Sequence, residues 1–443
     1  MNEHAAPDLD GIGAVIGTVV NPAGLIHAKV ISLNRLQQFA DPGLGASPTW
    51  HAFAIDQTGI VFTEQTGVIG DRRVRLDLAG LRVLDGGLAW APGSFFRQDG
   101  SPDPYCSRHV LQRVTQRLAA AGLTAVVGHE VEFVVVGPDG TQLPSAMWAQ
   151  YGLAGVLEFE GFVRDLLDAA GVCGVVIEQF HPEYGVNQFE FSLAPLDPVA
   201  AADQLVLARI IIGRVARRHG LRISLSPVPF AGGAGCGAHQ HFSLSHHGVP
   251  VFSGGSAIGG MTDAGTSAVA GLLAGLPEAQ GVLCGSIVSG MRMQPGNWAG
   301  AAVCWGTENR EAAVRFVSEQ SGSPHGANVE VKVIDPSANP YLASATILGL
   351  AFDGIARDLP LSPEVSVDPA ALTDAQREAA GVVVLPTDQN TALDALRHSA
   401  VVRGILGDEA VDAVVAVRDY ENRNYGALSE HEIAEKFRLS WSV

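Results

Sequence analysis

Residues 128–136 read Gly-His-Glu-Val-Glu-Phe-Val-Val-Val, and this stretch decides the fold. Valine and phenylalanine dominate it, which predicts a β-strand. Because side chains alternate between the two faces of a strand, Glu130 and Glu132 share one face, while Val131 and Phe133 take the other. Two adjacent carboxylates in a half-buried sheet repel each other and resist ionisation, so a cation is expected between them. Taken alone, the pair is also compatible with an exposed sheet face.

Three later segments repeat this alternation of polar and apolar side chains. They are 188–193, with Glu190 on the polar face; 238–244, with His239, His241 and Ser243; and 328–333, with Glu330 and Lys332. Four strands, most of them apolar on one face and polar on the other, predict a largely antiparallel sheet that curls around a polar cavity.

The composition restricts the class of protein. With 443 residues, 47% of them hydrophobic, the chain can bury the core of one large or two ordinary domains. Its formal net charge of −18 argues against nucleic acid or an anionic membrane as a partner. The five cysteines are scattered without CxxC spacing, which argues against a disulfide framework or a zinc site. Residues 1–10 lack a signal-peptide pattern and no apolar stretch of about 20 residues is uninterrupted, so a cytoplasmic location is expected.

Residues 1–104 are predicted to form a small β-rich domain and residues 105–443 a second domain, with the proline-rich segment 101–104 at the boundary. Strand-like runs are 13–20, 25–33, 53–62 and 172–179, and helices are predicted over 107–121, 159–170, 197–219, 339–357 and much of the last 60 residues. Asp-Pro and Asn-Pro open two of these helices, and 429–432 has the spacing of a capping box.

Candidate metal ligands and cations accompany the predicted sheet. The candidate ligands are Glu130, Glu132, Glu183, Glu190, Glu330 and His239. A set dominated by oxygen suits Mg²⁺ or Mn²⁺ rather than zinc or copper. Arg292, Arg310 and Arg315 lie in the glycine- and proline-containing segment 291–328. Each alone could be a surface arginine, but their concentration between two polar strands favours a functional role.

Hard cations beside several arginines indicate a phosphorylated species, and phosphoryl transfer from ATP fits this pattern. The glycine-rich run at 232–237 is not followed by lysine and serine or threonine, so it is not a P-loop. Nucleotide binding of another kind is therefore expected.

Six segments, in the same order, resemble the glutamine synthetase family along nearly the whole chain. They are GHEVEF (128–133), EQFHPEYGVNQFE (178–190), GCGAHQHFSL (235–244), RMQPG (292–296), ENREAAVR (308–315) and NVEVKVIDPSANPYL (328–342). The resemblance implies an α+β fold with an N-terminal β-grasp domain and a catalytic domain whose antiparallel strands form part of an active-site barrel. It also implies two or more Mg²⁺ or Mn²⁺ ions as cofactors, and ATP, glutamate and an amine as substrates. A homo-oligomer of stacked rings, usually a dodecamer with sites between adjacent subunits, is implied as well.

The resemblance also implies roles for individual residues. Glu130, His239 and Glu330 match ligands of the metal that serves the nucleotide, and Glu132, Glu183 and Glu190 match ligands of the metal that serves the substrate. Glu178, His241 and Ser243 match nucleotide-contacting positions. Gly235, Arg292 and Lys332 match positions at the glutamate substrate. Arg310 and Arg315 match phosphate-stabilising arginines, and Asp56 matches an aspartate that helps to deprotonate the amine.

The chain departs from the family pattern at several positions. Lys332 stands where arginine is usual, so the charge is kept but the bidentate fork is lost. Other departures are Glu308 for a basic residue, His325 for a lysine and Asn187 for a glycine. Trp298 stands six residues after Arg292, where ammonia-using relatives have a glutamate on a mobile flap. Because an indole accepts neither a proton nor a hydrogen bond, Trp298 is predicted to contact the organic part of an amine; packing beneath the loop is the alternative.

The leading hypothesis is an ATP-dependent glutamate–amine ligase of the γ-glutamylamide or γ-glutamylpolyamine branch, which joins glutamate to a primary organic amine through a γ-glutamyl phosphate. The alternatives are a glutamine synthetase that uses ammonia, a guanidino kinase that shares the catalytic fold, and a catalytically inactive structural or regulatory relative. The amide-ligase motifs argue against the kinase, and the complete set of six candidate ligands argues against the inactive relative.

Overall fold

The computed structural model describes residues 8–64, 66–322 and 325–443. Two β-sheets organise them: a six-stranded sheet near the N-terminus, and a ten-stranded sheet that carries the polar faces predicted above. Helices pack around both sheets, and the predicted α+β class is confirmed. Among the described helices, none combines the length and the apolar character that a membrane crossing requires.

The first sheet is mixed, with a short helix packed against it. Its elements are β1 (Ala14–Val20), β2 (Ile26–Ser32), α1 (Leu36–Ala40), β3 (Leu44–Ala46), β4 (Arg72–Leu76), β5 (Arg82–Leu84) and β6 (Leu88–Phe96). The strand order is β2-β1-β6-β4-β3 with β5 beside β6; β1 runs parallel to β6 and the other pairs are antiparallel. Phe39 of α1 packs with Val15, Val74 and Phe95 of the sheet in one apolar cluster. A sheet with a helix packed against one face is the β-grasp arrangement that the resemblance implied.

The prediction of a strand over residues 53–62 is wrong. Its residues form a turn with a single isolated bridge between Phe53 and Ile60. The cause is Asp56, whose Oδ1 accepts hydrogen bonds from the backbone N–H groups of Thr58 (3.0 Å) and Gly59 (2.7 Å). This local Asx-type turn satisfies backbone donors that a strand would have paired with a neighbour.

The second sheet is largely antiparallel. Its strands are β7 (Leu123–Val136), β8 (Ile177–Pro182), β9 (Gln188–Leu193), β10 (Arg222–Ser224), β11 (Gln240–His246), β12 (Val249–Pro250), β13 (Ala302–Thr307), β14 (Ala312–Val317), β15 (Asn328–Val331) and β16 (Val383–Val384). The order is β16-β13-β14-β15-β11-β7-β9-β8, with β10 and β12 at the sides, and β13 runs parallel to β14. The four strands predicted from alternation are the consecutive neighbours β15, β11, β7 and β9, which confirms the antiparallel sheet.

Twelve helices lie outside the first sheet among the described residues. They are α2 (Ser107–Ala120), α3 (Leu153–Glu158), α4 (Glu160–Val172), α5 (Pro198–Arg218), α6 (Asp263–Leu283), α7 (Ser289–Arg292), α8 (Pro340–Ala356), α9 (Asp374–Ala380), α10 (Gln389–His398), α11 (Ala400–Leu406), α12 (Asp408–Tyr425) and α13 (Glu430–Phe437). Short 3-10 turns occur at Leu33–Arg35, Pro48–His51, Leu78–Gly80, Ile258–Gly260 and Pro369–Ala371.

Polar caps start several helices where the sequence predicts them. Asp197 accepts a hydrogen bond from the Val199 N–H at the start of α5, and Asn339 caps α8 in the same way. Ser429 and Glu432 form the predicted capping box of α13. These side chains satisfy N–H groups that have no partner within the first turn.

The strand predicted over 172–179 begins later than expected. Helix α4 continues to Val172, and β8 starts only at Ile177. Gly174 has a φ of +70°, and the Val175 N–H donates to the Ala170 carbonyl at 2.9 Å. This helix-ending turn occupies the residues that the sequence assigned to the strand.

The register of the sheet places the carboxylates together. Glu132 of β7 lies opposite Glu190 of β9, and Glu330 of β15 lies opposite His241 of β11. On the other face of β7, Phe133 is fully buried among a group of phenylalanines beneath the helices. Apolar residues of the first sheet join this same core, so the domain boundary after residue 104 stays a prediction.

Candidate active site

A cavity of about 1460 Å³ opens on the polar face of the second sheet. Strands β7, β8, β9, β11 and β15 line it, together with the loop that follows α7, with Arg310 just before β14 and with Arg315 within β14. Every candidate site residue from the sequence analysis lines this cavity except Asp56. The fold therefore brings together side chains that are up to about two hundred residues apart in sequence.

One group of possible metal ligands lies where β8 and β9 meet β7. His181 Nε2 is 3.0 Å from Glu183 Oε1 and 3.5 Å from Glu190 Oε1. Donor atoms of these three side chains lie within 4.8 Å of one another, as a single ion would require. Glu132, which faces Glu190 across the strands, accepts a 2.9 Å hydrogen bond from Gln188 Nε2. Glu132 and Glu183 both lie close to Glu190, and the assignment of these three carboxylates to one metal ion stays a prediction.

A second group lies where β7 meets β11 and β15. His239 Nδ1 is 2.9 Å from Glu130 Oε2 and 3.4 Å from Glu330 Oε1. His241 Nε2 is 3.4 Å from Glu130 Oε1, and donor atoms of Glu130, His241 and Glu330 also cluster within 4.8 Å. His241, predicted to contact the nucleotide, is therefore placed to act as a ligand as well.

The electrostatics of these groups fit a hard divalent cation. Burial, followed by repulsion from Glu130, Glu132 and Glu183, raises the pKa of Glu190 well above its ordinary value. Burial also opposes ionisation of Glu130, but hydrogen bonds from His239 and His241 hold its pKa well below the ordinary value. Several carboxylates therefore share a buried region in which protein cations neutralise only some of them. Mg²⁺ or Mn²⁺ would supply the missing positive charge at oxygen donors.

Neighbouring charged side chains determine the charge states of Glu330 and His241 in the second group. For Glu330, burial opposes ionisation, but Lys332 and His241 lower its pKa to about 2. For His241, burial opposes protonation, but the Glu130 carboxylate raises its pKa to about 9. Glu330 therefore stays negatively charged and His241 positively charged, and the two residues lie opposite each other where β15 pairs with β11.

Basic side chains and glycine residues occupy the part of the cavity where the glutamate substrate is expected. Arg292 is buried, and its Nη2 lies 3.4 Å from the Lys332 carbonyl oxygen and 3.4 Å from His239 Nε2. Lys332 Nζ is 3.1 Å from Glu330 Oε1. A Cβ on Gly235 would come within 2.8 Å of Arg292 Cγ, and one on Gly237 within 2.5 Å of His239 Nε2. Only glycine leaves room here for Arg292 and the histidine.

The two remaining arginines differ in how they are held. Arg315 lies between two carboxylates, with Nη1 3.2 Å from Glu330 Oε2 and Nη2 2.6 Å from Glu308 Oε2. Glu308 itself has a φ of +53°. Arg310 lines the cavity but makes no hydrogen bond or salt bridge within the described part of the chain. Arg310 is therefore free to meet an anion that enters the cavity.

The predicted nucleotide positions lie at one end of the cavity. His325 Nε2 is 3.0 Å from Glu178 Oε2, and His241 Nδ1 is 2.9 Å from Asn328 Oδ1. Ser243 completes this end of the lining. The histidine that replaces the family's usual lysine thus pairs with one of the predicted nucleotide contacts.

Trp298 lies at the other end of the cavity. Its ring is 43% exposed and its centroid is 4.4 Å from that of Tyr184. Tyr184 meets Tyr151 edge to face at 6.4 Å, and Tyr151 is 5.1 Å from the ring of His181. Trp298 therefore contributes to a cavity wall rather than to a buried core.

Asp56 is the one candidate that the fold keeps away from the cavity. Its Oδ2 accepts hydrogen bonds from the hydroxyls of Tyr420 (2.9 Å) and Tyr425 (2.5 Å) on α12. Burial opposes ionisation, but the tyrosine and backbone hydrogen bonds lower the pKa of Asp56. Within one chain it is not among the residues that line the cavity, so its catalytic role stays a prediction.

Several residues of the cavity escaped the sequence analysis. Those with direct contacts to the clusters or the aromatic side chains are Tyr151, His181, Tyr184 and Gly237. His181 lies on β8 opposite Glu190 and two residues before Glu183, which follows the end of the strand, and this spacing was the available signal. Tyr151 carried no such signal, because a loop brings it to the cavity.

The departure at Asn187 has a structural explanation. Its φ is +61°, in the left-handed region where glycine is most at ease and asparagine is the best tolerated of the larger residues. Its Nδ2 donates a 2.9 Å hydrogen bond to the Leu143 carbonyl. The substitution therefore preserves the turn between β8 and β9.

Comparison with known proteins places the chain among enzymes of one family. Residues 104–436 match the family described as glutamine synthetase, catalytic domain. A gamma-glutamylpolyamine synthetase of Streptomyces coelicolor is 39% identical over 97% of this chain and 94% of its own length. A glutamine synthetase of Mycolicibacterium smegmatis is 31% identical over 74% of each chain.

Solved structures with the same overall fold are also known. A crystal structure of a glutamine synthase homolog superposes with a TM-score of 0.87 at 27% identity and covers all of both chains. The ligand-free structure of a protein named GmaS superposes with a TM-score of 0.82 over 95% of both chains. At 23% identity, the second likeness concerns the fold alone.

Proposed function

The chain belongs to the glutamine synthetase family and is an ATP-dependent ligase, and on this premise we propose that it joins the γ-carboxylate of glutamate to a primary organic amine. The observation that carries the proposal is Trp298 on the cavity wall, at the position where the family resemblance implies a carboxylate in ammonia-using relatives. An indole cannot accept the ammonium proton, but it can pack on the carbon chain of an amine. The name of the Streptomyces coelicolor relative supports the same class of acceptor.

We propose two or more Mg²⁺ or Mn²⁺ ions in the two carboxylate groups. Glu130, His239 and Glu330 would hold one, and Glu132, Glu183 and Glu190 another, with His181 and His241 beside them. Donor atoms of Glu130, Glu190 and His239 also lie within 4.8 Å of one another, so the two ions would be close together. Bound there, the ions would neutralise phosphate charge and polarise the oxygens that react.

The protein's own cations hold the two anionic substrates. Arg292 and Lys332, both buried, would bind carboxylate oxygens of glutamate, with the backbone of Gly235 beside them. Arg310, which makes no hydrogen bond or salt bridge among the described residues, would meet the transferring phosphoryl group together with Arg315. Glu178, Ser243 and His241 would contact ATP at the opposite end of the cavity.

The reaction then requires two displacements. The γ-carboxylate oxygen attacks the terminal phosphorus of ATP, so that a new P–O bond forms, the bond to ADP breaks and a γ-glutamyl phosphate results. The amine nitrogen attacks the carbonyl carbon of this acyl phosphate, phosphate leaves with the former carboxylate oxygen, and the nitrogen loses a proton. Activation is needed because a free carboxylate is a poor electrophile.

We further propose a homo-oligomer of stacked rings, a dodecamer in the family's usual form, located in the cytoplasm. In such a ring Asp56 of one subunit would approach the amine end of the next subunit's cavity and accept that proton. The proposal is supported by the position of Asp56 outside its own chain's cavity, on a segment held by Tyr420 and Tyr425.

The competing function is a glutamine synthetase that uses ammonia. A comparison of kcat/KM for ammonium and for a panel of primary amines, in the wild type and in Trp298→Glu, separates the two. We expect the wild type to prefer an organic amine and Trp298→Glu to shift the preference towards ammonium. Trp298→Phe is the control that keeps an aromatic face. Efficient glutamine formation by the wild type, with no organic amine competing, would rule out the proposal.

A further inference from the structure

Three partly exposed aromatic side chains form a continuous surface along one side of the cavity. We call Tyr151, Tyr184 and Trp298 the aromatic wall. Ring centroids are 6.4 Å apart between Tyr151 and Tyr184, and 4.4 Å apart between Tyr184 and Trp298. All three residues line the cavity.

The exposure of these rings distinguishes them from core aromatics. Their exposed fractions are 60%, 44% and 43%, whereas Phe133, Phe162, Phe189 and Phe191 on the other side of the sheet are buried. Large aromatic surfaces are seldom left open to solvent in a concave site unless a ligand covers them. The aromatic wall therefore offers apolar surface to a ligand that enters the cavity.

The aromatic wall begins beside Glu183 and His181, which belong to the first group of possible metal ligands. The Tyr184 N–H donates to Glu183 Oε2 at 3.2 Å, and the Tyr151 ring lies 5.1 Å from that of His181. From there the surface leads away towards Trp298. A molecule that reacts near Glu183 can thus extend its unreactive part along the three rings.

The backbone holds both ends of the aromatic wall in an unusual conformation. Tyr151 has a φ of +54° and Trp298 a φ of +50°, a region that bulky residues rarely occupy. Hydrogen bonds fix both positions, from the Tyr151 N–H to the Pro182 carbonyl (3.0 Å) and from the Trp298 N–H to Glu311 Oε1 (3.1 Å). Backbone strain of this kind concentrates at ligand clamps, where a side chain must be presented at a fixed angle.

Charges along the cavity restrict what the ligand can be. The carboxylates among the described lining residues belong to the two metal-type groups or, as with Glu178, to the predicted nucleotide end. A methylene chain would pack on the ring faces, and a distal ammonium could be bound there by cation–π contact. The Glu311 carboxylate, which accepts the Trp298 N–H, lies next to this end of the wall.

We propose that the aromatic wall is the subsite for the carbon chain of the acceptor amine, and that it selects unbranched primary amines long enough to extend from Glu183 to Trp298. This inference rests on the proposed ligase function and adds Tyr151 and Tyr184 as specificity-determining residues. The reacting nitrogen lies at the Glu183 end, and the chain, with or without a distal ammonium, lies along the rings.

The test compares kcat/KM for methylamine, propylamine, hexylamine, butane-1,4-diamine and hexane-1,6-diamine. The proteins are the wild type, Tyr184→Leu, Tyr184→Phe and, as a matched control outside the cavity, Phe352→Leu. We expect the wild-type value to rise with chain length. Tyr184→Leu should lower it for the long amines by about 2- to 30-fold, the range that loss of a cation–π or ring contact gives, with a smaller loss for methylamine.

Tyr184→Phe, which keeps the ring, should retain the preference for long chains, and Phe352→Leu should leave the whole profile unchanged. A loss by Tyr184→Leu that affects the diamines alone supports binding of a distal ammonium, and a loss that includes hexylamine supports packing of the chain. A wild type that ligates methylamine and the long amines equally well would overturn the aromatic wall while leaving the ligase function intact. If no organic amine is ligated and only ammonium reacts, the ligase proposal itself fails.

Discussion

Glu190 is placed where burial and three other carboxylates oppose its charge. Its side chain is almost fully buried, opposite Glu132 in the strand register and 3.5 Å from His181 Nε2. A folded-state pKa above the unfolded value means that the folded protein binds the proton more tightly. The resulting stabilisation is present at low pH and is lost as the pH rises through the folded-state pKa.

Glu190→Gln should therefore raise the stability of the metal-free protein while lowering the catalytic activity of the enzyme. In metal-free protein near neutral pH the variant should melt at a higher temperature than the wild type, because one repelling charge is gone, and this gain should shrink as the pH falls. Turnover should fall by about 100-fold or more, since a ligand of the catalytic cation is lost. Thermal melting with and without Mg²⁺ measures the first effect, and Glu160→Gln on the surface of α4 is the control. A variant less stable than the wild type in the absence of metal would contradict this electrostatic picture.

Arg315 offers a second test at the residue scale. Its guanidinium lies between Glu330 and Glu308, which fixes its direction before substrates bind. If it stabilises charge that develops on the transferring phosphoryl group, Arg315→Ala should lower kcat by about 100- to 1000-fold and raise the KM for ATP only slightly. Steady-state kinetics with Arg357→Ala as a surface control decides this. A large rise in KM with kcat intact would make Arg315 a ground-state contact to the nucleotide.

How far single residues could be predicted depended on whether the signal was local. The side chains of β7, β9, β11 and β15 were predictable because strand alternation fixes their face. Tyr151 and Tyr184 were not, since loops with no periodic pattern bring them to the cavity. The neighbours of Asp56 on α12 were also beyond prediction, because their contact spans more than 360 positions in sequence.

At the scale of elements, strand β7 connects the site with the core. Its polar face carries Glu130 and Glu132, and its apolar face carries Phe133, which contacts the rings of Phe162, Phe189 and Phe191. Changing one face should therefore disturb the geometry of the other.

Phe133→Ala should lower the free energy of unfolding by about 3–5 kcal/mol, the usual cost of truncating a fully buried phenylalanine. It should also weaken Mg²⁺ binding, because the strand that carries two ligands loses its packing. Phe133→Leu, which keeps most of the volume, should cost less than about 1.5 kcal/mol and retain the metal affinity. Chemical denaturation and calorimetric titration of Mg²⁺ measure the two effects. A destabilised variant with unchanged metal affinity would show that the two faces are independent.

Helix starts were predicted well because their caps are local. The side chains of Asp197, Asn339 and Ser429 cap helices as expected. The errors at 53–62 and 172–179 have one cause: apolar runs predicted strands, while Asp56 and Gly174 closed turns within them. Turn chemistry prevailed over hydrophobic pattern at both places.

At the scale of the whole molecule, the cavity of one chain contains every predicted site residue except Asp56. In the proposed ring, each site is completed by the neighbouring subunit. A symmetric ring repeats one heterologous contact until it closes, so each subunit would both supply and receive this aspartate.

Subunit mixing tests this arrangement. Asp56→Ala and Arg315→Ala proteins should each have little activity, but dissociation and reassembly of an equal mixture should restore activity at about a quarter of the sites, as random pairing in a closed ring predicts. A mixture of Arg315→Ala with Glu190→Gln should restore none, because both residues lie in the same cavity. A mixture of the first pair that stays inactive would contradict a site shared between subunits, and a fully active Asp56→Ala protein would place Asp56 outside the reaction.

The most direct measurement follows the oxygen of the substrate. Glutamate labelled with ¹⁸O in its γ-carboxylate is incubated with ATP, Mg²⁺ and a primary amine, and the released phosphate is analysed by mass spectrometry. Because the carboxylate oxygen attacks phosphorus and then leaves with it, each phosphate should carry one ¹⁸O for each γ-glutamyl amide formed. Amide formation accompanied by unlabelled phosphate would contradict the acyl phosphate route.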